Sequence, residues 1–148
     1  MGPEYDEKAL FEWFEATTGQ PWDFSEAGKA VWIAYHFDQQ VCNGGFHQAF
    51  LNLGDHWKEI RAALATIGAT SVIRLFDEAL SVFPPDGPAE NQRVRYGQLS
   101  GLQKNSLDLL WRLDGNYYDL KDDECIYNVM YRCLVRAKLL PWRNDNTK

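Results

Sequence analysis

Between about Ser25 and Cys42 the apolar residues do not keep to one face. Ala30, Ile33, Ala34, Phe37 and Val41 form a stripe at helical spacing, while Val31, Trp32 and Tyr35 cover much of the remaining circumference. A helix that is apolar nearly all round has no face to offer to water, so other helices must be laid around it. The remaining strong patterns supply them. No segment shows the alternation of a half-buried strand and no repeat is present, so the chain is expected to be all-α. We expect a single domain over 4–142 with six or seven helices around the central one, and flexible termini at 1–3 and 143–148.

The partners of the central helix follow from spacing and from breaks. A first helix, about Glu4 to Thr17, sets Leu10, Phe11 and Phe14 on one side and Glu4, Lys8, Glu12 and Glu15 on another. Gly19, Gln20 and Pro21 end it, and Ser25 is placed to cap the central helix. Asn43-Gly44-Gly45 stops that helix, and a short piece from Phe46 to Leu53 follows before Gly54. Asp55 is placed to cap a helix with Trp57, Ile60, Leu64 and Ile67 inward, closed by Gly68. Val72, Leu75, Phe76, Ala79 and Phe83 trace the next, which Pro84 and Pro85 terminate. After a loop to about Asn91, Leu102, Leu109, Leu110 and Leu113 mark a helix closed by Asp114-Gly115-Asn116. A last helix, about Asp122 to Leu139, carries Ile126, Val129, Met130, Cys133, Leu134 and Ala137 on one stripe.

A chain of 148 residues buries roughly 70% of its extended surface, enough for a core without disulfides. The three cysteines, Cys42, Cys125 and Cys133, form no Cys-x-x-Cys pair and read as reduced core thiols. The start carries no signal-peptide pattern, and the longest apolar run, Ala30 to Tyr35, is too short to span a bilayer. Cytoplasmic placement, with no membrane partner, is the expectation.

The net charge of −6 is unevenly spread. Met1 to Glu26 holds seven acids against Lys8, Asp108 to Glu124 holds six against Arg112 and Lys121, and from Cys125 onward five bases face Asp145. That balance argues against binding to nucleic acid through a broad basic face, because such affinity comes from cations that displace counterions. A basic protein suits the acidic segments better. Glu4, Glu12 and Glu15 fall within an arc of about 80° on the first helix, and helix neighbours three or four residues apart lie about 5 to 6 Å from each other, similar to the phosphate spacing along a DNA strand. Asp119, Asp122, Asp123 and Glu124 make a second acidic group, the last three at the start of the final helix, where acids also favour the helix dipole.

Catalytic signatures are missing. No Ser, Thr or Cys sits in a nucleophile-elbow or papain-like context, and no phosphate-cradling glycine loop is present. His36, His47 and His56 are spaced so that no helix turn pairs them as metal ligands, and Asp77 and Glu78 point about 100° apart. The expectation is therefore no catalytic residue, no metal and no cofactor.

Trp32 to Asn52, with Val41, Asn43-Gly44-Gly45-Phe46, Gln48, Phe50 and Asn52, resembles the signature of the DNA mimic protein 19 family, a bacterial all-helical domain. Ala63-Leu64 with Ile67-Gly68-Ala69, Glu78-Ala79 with Phe83-Pro84, and Leu113-Asp114 with Tyr117-Tyr118 follow in the matching order, from about Ala30 to Asp119. The resemblance implies a homodimer whose acidic surface imitates duplex DNA and occupies a DNA-binding protein such as a transcriptional repressor. The motif itself reads as scaffold: Gly44 and Gly45 for the turn, Phe46 and Phe50 for packing, Asn43, Gln48 and Asn52 for hydrogen bonds that fix it. Two other readings stand beside the mimic. One is an interaction or immunity-type module that binds through exposed aromatics such as Trp13, Trp22 or Trp142. The other is a small-molecule enzyme with a pocket at Asn43, His47 and Asn52.

Overall fold

The computed structural model describes residues 4–19 and 25–140. Among these the chain forms seven α-helices and no strand: α1 (Glu7–Thr17), α2 (Glu26–Leu53), α3 (Trp57–Ile67), α4 (Thr70–Leu80), α5 (Gln92–Ser100), α6 (Lys104–Tyr118) and α7 (Ile126–Arg136). The termini expected to be flexible, 1–3 and 143–148, lie outside the described residues, as do Trp22 and Trp142.

The apolar circumference of α2 does what the sequence requires. α2 packs against α3, α5, α6 and α7, while α4 bridges α3 and α6. Phe37, Phe46, Phe50 and Phe76 are essentially excluded from water. Their rings meet at centroid distances of 5.4 Å (Phe50 to Phe76) and 5.5 Å (Phe37 to Phe76), and Tyr117 stands edge-on to Phe46 at 5.9 Å. Such pairs add about 0.5 to 1.5 kcal/mol each beyond area burial.

α1 is a lid of aromatics over α2 and α7. Phe14 stacks on Tyr35 at 4.2 Å, and Trp13 and Phe14 both reach Trp32, whose indole N–H donates to Thr17 Oγ1 at 3.0 Å. Tyr5 meets Tyr131 at 5.7 Å and Phe11 meets Tyr127 at 5.7 Å, so α1 runs antiparallel to α7. Trp13 is 1% exposed. Its role as an exposed binding aromatic is thereby corrected: as in any amphipathic helix laid on a core, the bulky ring lies on the packed side.

Ser25 caps α2 as expected, its hydroxyl accepting the Gly28 N–H at 3.4 Å, and Gly68 closes α3 in the left-handed conformation at φ 84°. Other boundaries differ. α1 begins at Glu7 because the Asp6 carboxylate accepts the Ala9 N–H at 3.0 Å. Asp55 does not cap α3; it lies in a 3-10 turn, Gly54–His56, beside His56 (3.4 Å) and Arg95 (3.7 Å). Asp114-Gly115-Asn116 does not end a helix, since α6 runs through it to Tyr118. Asp122–Glu124 form a separate 3-10 turn ahead of α7 rather than its first turn.

α5 had no apolar stripe to announce it. Its inward residues are Leu99 and Arg95, and Arg95 is 2% exposed. The guanidinium donates to the carbonyls of Leu51 (2.7 and 3.1 Å), Ala89 (2.7 Å) and Glu90 (2.9 Å), pinning the end of α2 to the loop before α5. A buried arginine is tolerable when its donors are satisfied in this way.

Candidate functional site

Three groups of residues bear on function: the acids, the glycine motif and a buried carboxylate that the sequence left inconspicuous.

Of the seven acids proposed as a binding surface, Glu4, Glu15, Asp119, Asp122, Asp123 and Glu124 are exposed, and Glu12 is half-buried. They do not form the single helical row that spacing suggested, because Glu4 lies in the lead-in ahead of α1. Glu124 is engaged, accepting the Ser71 hydroxyl at 2.8 Å beside the uncapped N-terminus of α4. Asp123 pairs with Arg132 at 2.8 Å, and the Arg132 guanidinium also donates to the Asp123 carbonyl at 2.7 Å. Glu4, Glu15, Asp119 and Asp122 have no side-chain hydrogen bond or ion pair among the described residues. Elsewhere Arg61 grips Asp77 through two bonds of 2.7 and 2.6 Å and Arg112 pairs with Glu78 at 3.1 Å, and within the second acidic segment Asp108 pairs with Lys104 at 2.8 Å. Exposed acids without a side-chain partner thus stand on both acidic segments, and Asp86 and Glu90 are two more in the middle of the chain.

The glycine motif is scaffold in its geometry. α2 breaks its helical path at Gly44 (φ −158°, ψ 22°) and Gly45 (φ 76°, ψ −173°) and then resumes. The Gly45 conformation is open only to glycine, and a Cβ there would overlap the Asp114 carboxylate. Phe46 and Phe50 fill the core, as expected. Gln48 and Asn52 both donate to Gln40 Oε1, at 3.1 and 2.8 Å, tying the two halves of α2 across the kink. Asn43 is exposed and its side chain makes no hydrogen bond among the described residues, so the turn is fixed without that side chain. The kink is instead held by Asp114, whose Oδ1 accepts the Phe46 N–H at 2.8 Å. Burial raises the Asp114 carboxyl above its ordinary range, with the Phe46 N–H and His47 pulling the other way.

Asp38 is the residue that sequence reasoning passed over. It is 1% exposed on the face of α2 turned to α6 and α7. Its Oδ1 accepts the Tyr117 hydroxyl at 2.6 Å and the Cys42 thiol at 3.6 Å, and its Oδ2 accepts the Tyr127 hydroxyl. Burial, then the Asp38 charge, pushes the Tyr117 hydroxyl well above its usual range. Burial likewise leads the upward shift at Tyr127, followed by its bond to Asp38. Cys42 reaches the surface, yet partial burial of its sulfur beside Asp38 lifts the thiol to about 11. Cys42 is exposed, Cys125 half-buried and Cys133 buried, so only Cys133 is the core thiol expected of all three. An acid on an otherwise apolar stripe, next to Phe37, was the available signal.

Fold and surface together define an all-helical protein with an interrupted central helix and unpaired acids on two sequence-distant segments. The chain belongs to the DMP19-like protein family, a DNA-mimic family, whose model matches residues 23–138. No curated protein and no solved structure gives a match. Among the described residues no helix is long and apolar enough to cross a membrane.

Proposed function

We propose that this protein is an acidic binding module that occupies the DNA-contacting surface of a basic, DNA-binding protein such as a transcriptional regulator, and so keeps it off DNA. The observation that carries this reading is the set of exposed, unpaired acids on the two acidic segments. Glu4, Glu15, Asp119 and Asp122 are exposed and unpaired among the described residues, whereas Asp77, Glu78 and Asp108 sit in ion pairs. Charge held out of internal pairs is charge available to a partner, and association through it is fast and salt-sensitive. Membership of a DNA-mimic family supports a DNA-binding protein as the class of partner.

The test is capture by the immobilised full chain from a lysate of the source organism at low salt. A captured DNA-binding protein should elute at moderate salt, where the screening length falls below about 10 Å, and duplex DNA should compete it away. The triple substitution Glu15→Lys, Asp119→Lys, Asp122→Lys should abolish capture while leaving the fold intact. Capture that resists both salt and duplex DNA sinks the mimic.

A second surface favours a homodimer as the working form. Trp111 is 78% exposed and Leu107, one turn earlier on α6, is 39% exposed. Trp111 with Leu107 offers apolar surface to a second chain, and tryptophan is enriched where chains meet. These, with Tyr96 and Tyr118, are the exposed aromatics and aliphatics that an interaction-module reading would use in place of Trp13. Sedimentation of the full chain and of Trp111→Glu tests the dimer: a dimeric parent and a monomeric variant support it, and a monomeric parent overturns it.

A further inference from the structure

Beside Asp38 lies a cavity of about 160 Å³ between α2, α6 and α7. Asp38 stands on one side, the rings of Tyr117, Tyr118 and Tyr127 on others, and Leu120 and Ile126 complete an apolar wall. Exposed Cys42 and Tyr118 border it, so it is reachable from solvent. In size it compares with an engineered cavity of about 150 Å³ that accepts benzene. It differs from that dry hole in its opening to solvent, in its tyrosine and cysteine lining and, above all, in the carboxylate.

Every group that touches Asp38 is neutral. Two tyrosine hydroxyls and one thiol donate to it, and it takes part in no ion pair among the described residues. Buried carboxylates are normally matched by a cation or a metal, and no metal-holding group of His, Cys, Asp or Glu occurs among the described residues. The three tyrosine rings add a second preference of the same sign, since aromatic faces attract organic cations within about 6 Å of the centroid. Tyr117 and Tyr118 stand at 88° with centroids 6.1 Å apart, forming a corner.

We propose that this cavity binds a small organic ammonium ion with a compact apolar body, its charge lodged between Asp38 and the tyrosine rings. The site goes beyond the partner-binding reading above and does not rest on it. An ammonium group could also arrive on a lysine side chain of a protein. The cavity volume of about 160 Å³ favours the free amine, because a bare four-carbon stem leaves much of it unfilled.

Titration of the full chain with benzylamine, followed by amide and tyrosine NMR shifts, is the test. Saturable binding in a roughly millimolar range or tighter, with shifts centred on Tyr117, Tyr118 and Tyr127, is expected. Benzyl alcohol, of the same shape without the charge, and Nα-acetyl-lysine amide should each bind at least tenfold more weakly. Leu120→Trp, at the half-buried rim, should fill the cavity and abolish binding with the fold intact; Asp38→Asn, if it folds, should weaken it at least tenfold. No saturable shift, equal binding of benzyl alcohol, or unchanged binding by Leu120→Trp would overturn the proposal. Equal or tighter binding of the capped lysine would overturn it in favour of a protein side chain.

Discussion

Asp114 Oδ1 accepts the backbone N–H of Phe46 at 2.8 Å, joining residues 68 positions apart. Phe46 restarts the helical path of α2 after the two glycines, so its N–H lacks a partner one turn back. A carboxylate delivered from α6 takes the place of an N-cap and also meets the positive end of the resumed helix. The same carboxylate occupies the space where a side chain at position 45 would start. Kink, glycine and acid therefore form one device.

Gly45→Ala is expected to cost about 1 to 3 kcal/mol in backbone strain alone, and more from overlap with Asp114. Asp114→Ala should cost about 1 to 3 kcal/mol by orphaning the Phe46 N–H. Because the overlap disappears when Asp114 is truncated, the double variant should lose less than the sum of the two. Urea midpoints of the four proteins check this; strict additivity would separate the kink from its clamp.

Arg95→Lys removes a fork that lysine cannot replace, leaving carbonyls of Leu51, Ala89 and Glu90 short of donors. A loss of about 3 kcal/mol is expected, seen as a drop in Tm of roughly 10 °C. A variant melting with the parent would show that the guanidinium contributes nothing net.

Alkaline pH should unfold the protein through its buried tyrosines. Burial raises Tyr5 to about 12 and raises Tyr117 and Tyr127 as well, so the folded state holds their protons more tightly than the unfolded chain does. The stability this contributes is fully present below about pH 10, the ordinary tyrosine value, and is lost as pH rises through the raised values. Chemical denaturation between neutral pH and pH 12 should show the decline, and Tyr127→Phe should make it shallower. A flat profile would contradict the burial.

The acids of the second acidic segment should separate by role. Glu124→Gln loosens the contact with Ser71 at the start of α4 and is expected to cost about 0.5 to 1 kcal/mol. Asp119→Asn and Asp122→Asn touch no side-chain partner and should leave stability within about 0.5 kcal/mol while weakening capture of a basic protein. Paired thermal melts and binding curves decide it, and equal effects on both readouts from all three variants would end the distinction.

The all-helical class, the central place of α2, its break at Asn43-Gly44-Gly45, the Ser25 cap and the Gly68 stop were legible because each rests on a local rule. α5 was not: Asn91 caps it, accepting the Val94 N–H at 3.1 Å, but its main inward group is an arginine, to which a search for apolar stripes is blind. Asp114-Gly115-Asn116 reads as a stop by composition, yet α6 continues because Asp114 has a partner across the core and the next two residues are exposed, where glycine costs only about 1 kcal/mol.

The sequence by itself determined which stretches are helical, which of them must be central and where acid outnumbers base, because periodicity and charge are properties of neighbours along the chain. Only the tertiary structure decided which acids are free and which are spent on Arg61, Arg112 or Arg132, that Trp13 faces inward, and that Asp38 meets Tyr117 and Tyr127 from two other helices. Those outcomes depend on side chains separated by tens of residues arriving at one place, and pairing energies at that range exist only once the core has fixed the helices against each other.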